Sequence, residues 1–193
     1  MKNKFLAEVN KINNEDLRNA CLKMTNLIPD YFWTVAASSS GKYHPECDLG
    51  EGGLVRHSIM VCVCAMDLVT SEMFCRDSED IRDIARVAAL FHDCMKHGPV
   101  NEDGTYSEHT VFEHPRFASD FVREVLTNEN IDSLKVNLIC DAIYTHMGKW
   151  CTDKYGDAKA LSKPRTDFEK MIHIADYMAS RKYISGLEEW KND

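Results

Sequence analysis

Apolar residues recur along this chain at spacings of three and four, the period of an amphipathic α-helix, and strand-like alternation is sparse. The pattern predicts a mostly α-helical protein. Leu17, Cys21, Met24 and Ile28 share one face of a helix from Glu15 to about Ile28, which Pro29 interrupts. A second helix, from about Leu54 to Val69, is apolar on every side between Ile59 and Met66 and is predicted to be the most enclosed. A third starts at Ser78, an N-cap residue followed by Glu79 and Asp80. It carries Ile81, Ile84, Ala88 and Phe91 inward and ends near His92-Asp93, before Gly98-Pro99. Pro115 suits the first position of a fourth helix, with Phe117, Phe121, Val122 and Val125 on its apolar face. In a fifth, Leu134, Leu138, Ala142 and His146 follow at i,i+4 spacing, so His146 is predicted to continue a buried stripe. A sixth, after Pro164, is predicted to bury Phe168, Met171, Ile172, Ala175 and Met178, with Asp176 at the edge of that face.

The breaks carry their own signals. Residues 36–53 hold three serines, four glycines, Pro45 and the acidic Glu46, Asp48 and Glu51, the composition of a long ordered loop or lid. Residues 98–109 read as a long loop or a small hairpin. At 193 residues, with 44% hydrophobic and 28% charged positions, the chain fits one globular domain over 1–193. Residues 1–53 form an N-terminal helix and loop that specialise the site, and 54–183 form the helical core. The formal charge of -8 argues against a general nucleic-acid coat, though local cations can still attract a small anion into one cleft. The longest strictly apolar run, Ile59 to Met66, falls far short of a membrane span, and the N-terminus lacks a signal-peptide pattern. Eight cysteines without any Cys-x-x-Cys read as reduced core residues in a cytoplasmic protein.

Histidines and acids then change the picture. His57, His92, Asp93, His146 and Asp176 fall on faces or ends of helices that otherwise read as core, and His114 stands at a helix start. Polar groups there need partners or a metal. A lone histidine is ordinarily a satisfied core residue. Six such residues, imidazole nitrogens and carboxylate oxygens on separate helices, suit one or two divalent ions held in a bundle with positions open to water and substrate.

With those residues in place the sequence resembles the HD-domain metal-dependent phosphohydrolases. His57, His92-Asp93 and Asp176 match the defining four positions, His114 (followed by Pro115) and His146 match two further histidines of dinuclear members, and Lys96 matches a frequent lysine three residues after the Asp. These matches run from Gly52 to Tyr177. The resemblance implies an all-α HD-domain helical bundle. It further implies one ion held by His57, His92, Asp93 and Asp176, with Asp93 bridging to a second held by His114 and His146. A shared water or hydroxide would be the nucleophile, with Asp93 and Lys96 serving catalysis and Lys96 clamping a phosphate oxygen. A solvated lysine at a helix end is the plainer reading of Lys96. More narrowly, Lys42-Tyr43-His44 and Gly52-Gly53-Leu54-Val55-Arg56-His57 resemble the HD domain of bacterial 3′-to-5′ exoribonucleases and related phage proteins. Those exoribonucleases carry an OB domain for which this chain has no room, which counts against polymer degradation.

Lys42, His44, Arg56, His97, His109, Arg116 and Lys149 are candidates for substrate contact, with an ordinary solvated role as the alternative for each. Gly41-Lys42 is not a Walker loop, since Ala36 and Tyr43 stand where Gly and Ser or Thr are needed. Cys62-x-Cys64 reads as core, and His173 and Trp190 as packing. The expectation is a phosphohydrolase acting on a phosphoester in a nucleotide or short oligonucleotide with one or two ions of Mn, Fe, Ni or Zn. Its partners would be a small anionic nucleotide or a short single strand, and no membrane. The alternatives are a nuclease or phosphodiesterase on nucleic acid or a cyclic dinucleotide, and a non-catalytic nucleotide-binding regulator.

Overall fold

The structure, a computed structural model, describes residues 1–38, 41–42, 44–152 and 161–182. Among these, seven α-helices and no strand form: α1 (Lys2–Val9), α2 (Glu15–Leu27), α3 (Gly53–Thr70), α4 (Glu79–Phe91), α5 (His114–Asn128), α6 (Ser133–Thr145) and α7 (Asp167–Ala179). The all-α expectation holds. Local chemistry sets several boundaries. The Asn14 side chain accepts from Leu17 N at 2.9 Å at the start of α2, and Ser78 accepts from Ile81 N at 3.2 Å at the start of α4. Thr166 and Glu169 close a reciprocal capping box on α7.

Helix α3 packs mainly against α4 and α7, α6 against α4, α5 and α7, and the site lies where these elements meet. By length and composition α3 could cross a bilayer, but its Leu54, Val55, Val61, Cys62, Ala65 and Val69 are buried in the shared core. It is not enclosed on every side as predicted: the apolar Met60 and Val63 lie on an exposed flank. Cys62 and Cys64 are both buried, and all eight thiols are free.

One helix was not foreseen and the faces of two others need correction. Helix α1 was not foreseen, because its eight residues contribute only Phe5 and Val9 to the core. Phe5 nevertheless stands edge-on to Phe32, Trp33 and Phe91 at 5.5–5.7 Å, so the short helix closes one end of the bundle. The buried Asp83 carboxylate of α4 accepts from Asn13 N and Asn14 N at 2.9 and 2.8 Å, fixing the α1–α2 junction. On α6 the proposed stripe is half corrected, since Ala142 and His146 are buried as predicted but the two leucines before them are not. Leu134 and Leu138 face outward, at 70% and 38% exposure, while Val136, Ile139, Cys140 and Ile143 are buried. On α7, Met178 is only half-buried and Ala179 takes the core position.

Residues 98–113 form a loop, not a hairpin. Asn101 N donates to Thr105 O at 2.7 Å across a tight turn, and Val111 N donates to Lys96 O at 2.9 Å, holding the loop against the end of α4. The 34–53 loop is equally anchored. Gly52 N bonds Thr34 O, Leu54 N bonds Val35 O and Ala37 N bonds Asp48 O, at 2.9–3.0 Å. Gly53 permits this return, since a Cβ there would stand 2.0 Å from the Asp48 carbonyl oxygen.

Candidate metal centre

Each candidate ligand is placed by a helix end. His57 begins the second turn of α3, His114 opens α5, and Asp176 lies near the end of α7. His92 and His146 are the C-caps of α4 and α6. Past α4 the chain tightens, with Cys94 N bonding Phe91 O, Lys96 N bonding Asp93 O and Gly98 N bonding Met95 O at 2.8–3.1 Å. These three-residue turns set i and i+3 over one another, so Asp93 and Lys96 share a side and form a buried ion pair. The same tightening explains His146. Its N–H reaches back to Ile143 O at 3.4 Å, setting it on the side of the buried Ala142 and Ile143.

The Nδ1 atoms of three histidines face backbone carbonyls three residues earlier: His92 to Ala89 O at 2.8 Å, His114 to Val111 O at 2.7 Å and His146 to Ile143 O at 2.7 Å. An N–H on Nδ1 leaves a lone pair on Nε2 when the ring is neutral. Those Nε2 atoms converge. His114 and His146 Nε2 are 3.3 Å apart and lie 3.0 and 3.6 Å from Asp93 Oδ1, while His92 Nε2 is 3.4 Å from Asp93 Oδ2 and 3.7 Å from Asp176 Oδ1. His57 Nε2 meets Asp176 Oδ1 at 3.0 Å. His92 Nε2 and Asp93 Oδ1 are buried with no hydrogen-bond partner. Nε2 lone pairs and carboxylate oxygens crowded this closely repel each other unless a proton or a cation lies among them. The donors fall into sets of mutual distance within 4.8 Å: His57 with His92 and Asp93, His92 with His146 and Asp176, and Asp93 with His114 and His146. Such imidazole and carboxylate donors fit one or two divalent ions.

Electrostatics agree for Asp93, Asp176 and His146. Burial alone would raise the Asp93 pKa, but the Lys96 charge first, then the neighbouring imidazoles of His92 and His114, hold it well below the usual carboxylate range. Asp176 is likewise held low, with the His57 hydrogen bond and the His92 charge outweighing burial. Burial pulls His146 down to about 3, which keeps its ring neutral and its lone pair free at neutral pH. His57 is opposite: burial would lower it, but Asp176 and Asp48 raise it to about 9.

Asp48 was read from sequence only as part of a charged loop. It is buried, its Oδ2 lying 3.7 Å from His57 Nδ1 and 3.5 Å from His44 Nδ1. No periodicity marks a residue in an irregular loop, and only the return of residues 34–53 onto α3 brings it to His57. His173 was also set aside as packing. Its Nδ1 bonds His146 O at 2.7 Å, tying α7 to the end of α6.

His57, Asp93, His114, His146 and Asp176 form the floor of a cavity of ≈ 600 Å³ lined also by His44, Lys96, Lys149, Trp150, Tyr177 and Arg181. Of the substrate-contact candidates, the cavity gathers His44 and Lys149. Arg56 instead turns its guanidinium onto the carbonyls of Cys47, Leu49 and Glu51. His97 stacks on Tyr31 at 4.8 Å. Arg116 pairs with Glu113 at 3.2 Å and lies over Phe117. Lys42 and His109 do not line the cavity, and Tyr43 and Trp190 lie outside the described residues.

The model of the HD domain matches residues 54–181, which hold all six converging side chains. The chain belongs to the HD-domain family. That places it in a superfamily of metal-dependent phosphohydrolases, whose members bind divalent metals. No curated protein and no solved structure shows a significant match.

Proposed function

We propose that this HD-domain protein hydrolyses a phosphoester in a nucleotide or short oligonucleotide. The carrying observation is the set of Nε2 lone pairs and carboxylates converging around Asp93 at the floor of a cavity that also receives Lys96. His57, His92 and Asp176, with Asp93 Oδ2, would hold one ion. His114 and His146, with Asp93 Oδ1, would hold a second. A divalent ion there lowers the pKa of water and polarises a phosphoryl oxygen. The chain's own residues do the rest. The backbone carbonyls behind His92, His114 and His146 fix the rings, and Asp48 stands behind His57. Lys96, buried beside Asp93, supplies a fixed positive charge for the negative charge that develops on phosphorus oxygens.

Lys149 and Arg181 bring further positive charge to the cavity despite the net charge of -8, which favours a small anion over a polymer coat. Eight free thiols suit a cytoplasmic setting. The test is elemental analysis of the purified protein followed by a screen for release of phosphate, pyrophosphate, triphosphate, nucleoside, nucleotide or linear dinucleotide from nucleoside mono-, di- and triphosphates, cyclic dinucleotides and short oligonucleotides. Release from at least one, lost on chelation and restored by Mn, Fe, Ni or Zn, is expected. Binding of nucleotides without turnover under any of these metals would make it a regulator instead.

A further inference from the structure

One wall of the cavity differs from the rest. Trp150 is 40% exposed and stacks with Tyr177 at 5.7 Å between ring centroids and 15° between planes, both residues lining the cavity. Lys149 Nζ stands 4.7 Å from the Trp150 ring, and the Arg181 guanidinium lies 3.9 Å from that of Tyr177. An indole left open to solvent rather than packed in the core costs hydrophobic free energy unless a ligand covers it.

The chain joins this wall directly to the metal-ligand floor. Tyr177 follows Asp176, and Trp150 follows His146 after a single 3-10 turn over Gly148–Trp150. Gly148 makes that turn possible. It adopts φ +56°, and any Cβ would fall 2.1–2.5 Å from the His173 ring, which itself holds the His146 carbonyl. The turn therefore carries Trp150 from the last ligand onto the cavity rim.

We propose that Trp150 and Tyr177 form a nucleobase subsite, with Lys149 and Arg181 steering the attached phosphate toward the floor; the assignment rests on the phosphoester reading above. Every nucleobase presents a π-face, and stacking on an aromatic side chain flanked by cations is a general way to hold one. Lys149, on an exposed flexible stem, gives up its place over the indole to an entering base. The cavity has the volume of a small-ligand pocket, enough for a nucleotide.

The test uses the metal-loaded protein and calorimetric binding of non-hydrolysable phosphonate analogues of the four nucleoside 5′-monophosphates, beside the analogue of ribose 5-phosphate. At least one nucleoside analogue is expected to bind on the order of tenfold tighter than the ribose analogue. Trp150→Ala should erase that preference while the ribose analogue binds as before, and Trp150→Phe should retain most of it. Equal binding of base-bearing and base-free analogues, no binding by any of them, or equal weakening of both by Trp150→Ala would overturn the proposal. Release of p-nitrophenol from bis(p-nitrophenyl) phosphate by the wild-type protein judges the hydrolase reading separately. Turnover without base preference removes only the subsite. Base preference without turnover removes only the hydrolase.

Discussion

The two halves of the centre are built differently. On one side His57 and His92 stand with Asp176 and with Oδ2 of Asp93, and His57 has a second carboxylate, Asp48, behind it. On the other, His114 and His146 pair with Oδ1 of Asp93, carbonyl oxygens lie behind their rings, and His146 alone also comes within 4.8 Å of Asp176. The first half concentrates negative charge on a cation and the second offers mostly neutral donors. Carboxylates strengthen the hold on a divalent ion, so the first half should bind tightly and the second should exchange. Asp93 belongs to both, and Lys96 offsets part of its charge.

Removing the shared residue is expected to have the largest effect. Asp93→Ala should empty both halves and reduce turnover to background, with the far-ultraviolet circular dichroism of the helices unchanged. Wild-type metal content in that variant would erase the idea of a common carboxylate. Next come the variants that separate the halves. His114→Ala and His146→Ala should each lower the metal count from two to one, and graded chelation of the wild-type protein should remove a first ion with little effect from either substitution on the ion that remains. His57→Ala and Asp176→Ala should instead deplete the tightly held ion. A native protein that saturates at one ion under reducing conditions would collapse the comparison.

Lys96→Ala tests the charge that both halves share. Removal of a preorganised positive group typically costs on the order of 3 kcal/mol, about a hundredfold in kcat, with the ions retained. The solvated-lysine reading would leave the rate untouched, and the burial of Lys96 against Asp93 speaks for the larger effect. Steady-state kinetics and metal content from one preparation distinguish the two.

The helices and the converging residues were legible in the sequence for a common reason. Ser78 and Pro115 mark helix starts through local chemistry, and His57, His92, Asp93 and Asp176 are conspicuous where burial of polar groups is costly. The α6 face was misjudged because a row of i,i+4 steps drifts by about 40° per step on a helix of 3.6 residues per turn, so Leu134 and Leu138 stand off the face that buries Ala142 and His146. The brief α1 offered too few periodic positions to be read. Trp150, Tyr177 and Asp48 escaped notice because what matters about them is proximity, created when a loop or a 3-10 turn crosses another helix.

The smallest and most selective effect should come from Asp48, which touches only one half. Its carboxylate stands behind Nδ1 of His57, where a negative group orients an imidazole and raises its basicity toward a cation on Nε2. Asp48→Asn keeps the shape of the side chain and removes the charge. Loss of such a partner typically weakens metal affinity by about 10- to 100-fold, and here only the ion shared by His57 and Asp176 should respond. Chelator titration with metal analysis at each step would show the two ions leaving at closer chelator concentrations than in the wild type, with the His114 and His146 ion unmoved. Asp48 also stands near His44 at the cavity, so a change in substrate KM could accompany the shift. A purely structural Asp48 would lower thermal stability and leave the order of metal release as it was. Equal weakening of both ions would mean that the halves are coupled through Asp93 more strongly than their separate donor sets imply.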